Sequence, residues 1–134
     1  MKITTIISWV LRLTAAIIML QTLFFKFTGH PESVELFTKL GVEPWGRIGT
    51  GVIELFAGIL LLTPSTVSIG AFLGIGLMTG AILSHLSVIG IESKGDGGLL
   101  FTMAIIVLIS CLVLTWMHRA QGQTLLRKLL KKKN

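Results

Sequence analysis

Five of the ionisable residues in or beside the long apolar stretches of this 134-residue chain could do chemistry together: Lys26, Arg47, Glu54, His85 and Asp96. Glu54 is the sharpest case, a lone carboxylate inside GVIELFAGILLL, residues 51–62. A carboxylate in hydrocarbon survives by facing a protein interior beside a cation, and Lys26 and Arg47 are the candidate partners. Such a pair can bind a polar headgroup or relay a proton, and His85 would add a group that exchanges protons near neutral pH. Arg47 and Glu54 share one helix face two turns apart, so an intermediate group is needed for them to touch.

Other chemistries are poorly served. Glu54, His85 and Asp96 come from separate elements and form a weak donor set, so no metal is expected. A bis-histidine haem is not expected either, because His30 lies too far outside and His118 falls on the opposite side. The single cysteine, Cys111, excludes a two-thiol relay within the chain and reads as a small hydrophobe in a helix. With no phosphate loop, no Ser-His-acid arrangement and nothing to carry electrons, the chain is not expected to be a catalyst by itself.

The elements that position these residues follow from composition. Hydrophobic residues make up 52% of the chain and charged ones 13%, which points to an integral membrane protein. Four apolar stretches, at about 5–28, 47–63, 66–91 and 99–118, each approach the ~20 residues that cross a hydrocarbon core. The first resembles a signal peptide at its start, but Arg12 interrupts it and the apolar run continues to Phe27, so an uncleaved span is expected. Between spans one and two, Pro31 and Glu32 start a helix, Val34, Phe37 and Leu40 repeat at helical spacing, and Gly41 ends it. This predicts a short amphipathic helix on the membrane surface. The expected fold is an all-α integral membrane antiparallel four-helix bundle, with a four-span domain at 1–118 and a basic tail at 119–134. Gly70 and Gly74, then Gly76 and Gly80, form small-xxx-small pairs on span three, and Gly51 and Gly58 thin span two for close packing.

The net charge of +6 is concentrated after the last span, where basic residues mark a cytoplasmic flank rather than a nucleic-acid surface. Both termini are therefore expected in the cytoplasm, with the amphipathic helix and the ESKGDGG loop (92–98) outside. At 1.5 Å per residue, Glu54 then sits ~10 Å below the outer end of its helix, His85 ~9 Å and Lys26 ~5 Å, with Asp96 above them. Each has a plainer role open to it: Lys26 snorkelling outward, Arg47 at the interface, Glu54 in a packing salt bridge, His85 as a hydrogen-bonded core histidine, Asp96 capping the fourth span. Arg12 is expected to snorkel toward the cytoplasm, and LLRKLLKKK to lie on anionic lipid.

The segments FFKFTGHPESVELFTKLGVEPWGRIGTGVIELFAGILLL (24–62), GLMTGAILSHL (76–86) and GDGGLLF (95–101) resemble the DoxX family of small bacterial membrane proteins, over about residues 5–118. The resemblance marks Lys26, Gly29, Glu54, His85 and Asp96 as the matching positions and implies a four-span bacterial inner-membrane protein. It also implies a link to redox complexes, one relative being associated with a thiosulfate:quinone oxidoreductase, or to assembly roles. Three readings follow. The first is an outward-facing pocket of Lys26, Glu54, His85, Asp96 and Arg47 that binds a quinone-like ligand in a redox-linked complex. The second is a non-enzymatic accessory or assembly subunit, with a membrane-protein partner or as a homo-oligomer, whose polar cluster is structural. The third, a small transporter or channel, is disfavoured by four spans and the lack of an internal repeat.

Overall fold

A computed structural model describes residues 2–133. The first span is α1 (Ile3–Gln21) followed, after a break at Thr22, by α2 (Leu23–Phe27). Then come α3 (Pro31–Lys39), α4 (Trp45–Leu62), a 3₁₀ turn (Pro64–Thr66), α5 (Val67–Ser84) running into a π-helical turn (His85–Ile89), α6 (Leu99–Met117) and α7 (Arg119–Lys132). Four helical segments, Ile3–Phe27, Trp45–Leu62, Pro64–Ile89 and Leu99–Met117, are long and apolar enough to cross a membrane. The expected bounds move by no more than two residues at any end.

Chain neighbours pack side by side and α1 closes the ring against α6, giving the antiparallel four-helix bundle. Each helix buries one stripe: Ser8, Arg12, Ala15, Ala16 and Met19 on α1, and Arg47, Gly51, Glu54, Ala57, Gly58 and Leu61 on α4, at helical spacing. The outward faces carry large apolar side chains such as Ile17, Phe56, Phe72 and Ile109, the surface expected where lipid is the solvent. This is a multi-pass membrane protein whose outer wall contacts the bilayer.

Lipid gives the helices no hydrophobic reason to associate, so close approach of small residues must hold them. A Cβ on Gly74 would come within 2.5 Å of Cys111 Sγ on α6, and one on Gly70 within 2.7 Å of the Leu61 amide nitrogen on α4. On α4, Gly51 is covered by the Phe27 ring and Gly58 by Leu20. The expected second pair is corrected: Gly76 and Gly80 have no atom within 4 Å of a Cβ position, because that turn of α5 faces outward.

The surface helix forms as its sequence predicts. His30 caps it through Nδ1, which accepts from the Glu32 amide at 3.3 Å, and Pro31 occupies the first turn. Gly41 takes φ +77°, and the amides of Gly41 and Val42 reach back to the carbonyls of Thr38 and Phe37, the paired bonds of a Schellman ending. Phe37 is the residue that α3 buries.

Candidate functional site

At the centre of α4 the opening carboxylate has its cation. Lys26 Nζ lies 3.0 Å from Glu54 Oε2, with the side chains 13% and 5% exposed. Lys26 therefore does not snorkel outward; its stem runs inward along the bundle. Helix α4 begins at Trp45, so Glu54 is nine residues, or ~14 Å, along it, deeper than the ~10 Å expected from Arg47. Thr22, at the break between α1 and α2, bridges the pair: its hydroxyl accepts from Lys26 Nζ at 3.0 Å and stands 3.1 Å from Glu54 Oε2 and 2.8 Å from the Met19 carbonyl. One hydroxyl proton serves only one of those two acceptors at a time.

Arg47 joins the cluster from above. Its Nε donates to Glu43 at 2.8 and 3.1 Å, and its Nη1 donates to the backbone carbonyl of Lys26. The intermediate group that the sequence requires between Arg47 and Glu54 is thus residue 26, touched by Arg47 through its backbone and by Glu54 through its side chain. Gly29, at φ +68°, turns the chain away from α2, and its Cβ position would lie 3.7 Å from Arg47 Nη1. A side chain there would touch the guanidinium at ordinary contact distance but would be strained by the positive φ.

His85 and Asp96 are not drawn into this network. No hydrogen bond or ion pair joins either of them to Lys26, Arg47 or Glu54 among the described residues. His85 is buried at the start of the π turn, where Nδ1 lies 2.9 Å from the Gly90 carbonyl and the ring stands edge-on to Phe101 at 5.7 Å. A carbonyl only accepts, so Nδ1 carries the proton of that bond, and Nε2 is the ring nitrogen left for another partner. Asp96 organises its own loop: Oδ1 accepts from the amides of Ser93 at 3.0 Å and Gly98 at 2.8 Å, and Oδ2 from Leu100 at 3.2 Å. Burial opposes its charge, but the backbone donors of Leu100, Gly98, Ser93 and Leu99 outweigh that and hold the carboxyl below its usual range. The capping role is the one its geometry displays. Above the loop, Lys94 pairs with Glu35 of α3.

The far end of the bundle holds polar residues that the sequence reading did not bring together. Arg12 does not snorkel to water. It is 3% exposed, donates from Nε to the Leu61 carbonyl at 2.5 Å and lies under the Trp9 ring at 3.6 Å. Ser8, one turn earlier on the same face, meets His118 Nε2 at 2.8 Å. The available signal was the spacing of Ser8, Arg12, Ala15, Ala16 and Met19, which places Arg12 on the small-residue stripe of α1 rather than on its lipid face.

Among the described residues no three His, Cys, Asp or Glu side chains gather as a metal centre requires. Comparison with curated proteins and with solved structures gives no match. One family model does match, over residues 10–114, which takes in the second and third spans whole, most of the first and fourth, and Arg12, Lys26, Arg47 and Glu54. The chain belongs to the DoxX-like family.

Proposed function

We propose that the chain is a non-enzymatic accessory or assembly subunit of a bacterial inner-membrane complex, in which the Lys26–Glu54 pair fixes the register of the first two spans. One observation carries the reading: Lys26 and Arg47 each meet a carboxylate of the same chain, Glu54 and Glu43. Charges matched in this way hold a shape, whereas a site built for a substrate keeps donors or acceptors open to it. On this reading both termini are cytoplasmic, the basic α7 lies on anionic lipid, and α3 with its Glu35–Lys94 tie forms the outer face offered to a membrane-protein partner.

A second reading, a quinone-like ligand, has one observation in its favour. Among the described residues His85 Nε2 meets no hydrogen-bond partner, and with Nδ1 bonded to the Gly90 carbonyl it is the ring nitrogen left for a quinone-type headgroup. Phe24 and Phe25, both exposed and immediately before Lys26 in sequence, would flank the ring of such a ligand. Asp96 and Arg47 would then shape the outer rim.

Native mass spectrometry with lipid extraction, on wild type and Glu54→Gln in mild detergent, separates the two. The accessory reading expects co-purifying membrane protein in the wild type and a joint fall in thermal stability and complex recovery in the variant. A stoichiometric small molecule, lost from a still-folded Glu54→Gln protein, would overturn it in favour of the ligand.

A further inference from the structure

At the end of the bundle that carries the chain termini, a buried cation has no counter-ion among the described residues. All six Asp and Glu residues lie between positions 32 and 96, and none is nearer that end than Glu54 in the middle of α4. Arg12 is nonetheless 97% buried, and its Nη2 has no hydrogen-bond partner. A guanidinium out of water with an unpaired N–H group is costly unless an anion meets it.

The surroundings are those of a built site. A cleft of about 300 Å³ opens beside Arg12, lined also by Thr4, Thr5, Ser8, Trp9 and His118. Trp9 covers the face of the guanidinium, leaving the N–H edge as the direction from which an oxyanion is received, because stacking and in-plane hydrogen bonding use different parts of the group. Ser8 and His118, joined at 2.8 Å, add a hydroxyl and an imidazole at the same cleft. His118 lies outside the spans, and burial, followed by the Arg12 charge, lowers its pKa, as expected where positive potential is unbalanced.

We infer that this cleft is an anion site, in which Arg12, Ser8 and His118 bind a phosphate-type oxyanion brought by a lipid headgroup or free in solution. The inference stands independently of the accessory and ligand readings, which concern the opposite half of the bundle. A headgroup would enter from the bilayer at the level of Thr4 and Thr5, with the basic α7 adjoining it.

The test uses the full chain with Trp45→Phe and Trp116→Phe, two exposed positions, so that Trp9 alone reports. Trp9 emission is followed while dioctanoyl phosphatidylglycerol, dioctanoyl phosphatidylcholine or inorganic phosphate is added in neutral detergent. A saturable change is expected with phosphatidylglycerol, weakened at least tenfold by Arg12→Gln and several-fold by Ser8→Ala and His118→Gln. Saturation by phosphatidylglycerol alone assigns a headgroup, and saturation by inorganic phosphate as well assigns a site for the free anion. If Arg12→Gln does not fold, the Ser8 and His118 variants carry the decision. No saturable change with any probe, or one equal in wild type and all folded variants, overturns the inference.

Discussion

Removing either member of the central ion pair should have unequal consequences, and the inequality follows from where each side chain can go. In Lys26→Met, Glu54 stays on the interior stripe of α4, 5% exposed, with only the Thr22 hydroxyl beside it. Breaking a buried pair while leaving its partner charged costs ~3–5 kcal/mol. Because Lys26 retains 13% exposure, the lower part of that range, ~3 kcal/mol, is expected. In Glu54→Gln the orphan is Lys26, one residue from the end of α2, whose stem can swing its ammonium outward to water. That loss should be ~1.5–2 kcal/mol, the lower part of the range for a charged hydrogen bond. The double variant leaves no orphan charge, and a glutamine at 54 can still meet Thr22, so it should be more stable than Lys26→Met alone. The coupling energy is then ~2 kcal/mol or more. SDS titration in mixed micelles, followed by tryptophan fluorescence and helical circular dichroism, gives the four stabilities. Additivity within ~0.5 kcal/mol, or equal losses in the two single variants, would refute the argument.

Gly74→Ala should destabilise by ~1–3 kcal/mol, because its Cβ would stand 2.5 Å from Cys111 Sγ, and Cys111→Ala should recover most of the loss. Gly80→Ala, with open space around it, should be neutral or gain up to ~1 kcal/mol of helix propensity in the same titration. Arg47→Lys cannot reproduce the contacts to Glu43 and to the Lys26 carbonyl, and should lower stability by ~1–2 kcal/mol, a smaller effect than Lys26→Met. The Asp96 carboxyl is held below its unfolded pKa, so its support of the loop is fully present above the unfolded value and is lost as pH falls through the folded one. Hydrogen exchange at the amides of Gly98 and Leu100 should therefore gain protection as pH rises through that window, once corrected for intrinsic rates. Asp96→Asn should abolish the dependence.

Much of this architecture can be read from the sequence because hydrocarbon imposes simple rules. Span ends follow from apolar length, and α3 follows from Pro31, its apolar spacing and Gly41, all of which act locally. The Lys26–Glu54 pairing was also legible, since a lone intramembrane carboxylate needs a cation at reachable depth. What the pattern left open is rotation. Gly76 and Gly80 have the spacing of a packing motif but face outward, and the rotation of α5 is set by contacts of Gly70 and Gly74 with two other helices. Arg12 went the other way: snorkelling is the usual escape for a cation near a membrane surface, yet the rotation that buries Ala15, Ala16 and Met19 carries Arg12 inward with them. Depth likewise grouped His85 and Asp96 with Glu54, although local partners, Gly90 for one and the loop amides for the other, hold both elsewhere.

The confinement of all six Asp and Glu side chains to residues 32–96, against a basic chain start and α7, gives the molecule an electrical polarity along its bundle axis. A transmembrane voltage acts on that polarity with ~2.3 kcal/mol per elementary charge for each 100 mV. Turning the bundle end over end across an energised membrane would carry several positive charges against the field, so an imposed voltage is expected to favour insertion with the basic end on the negative side. In vesicles reconstituted under a potassium diffusion potential, the fraction of chains inserted each way should follow the sign of the imposed voltage.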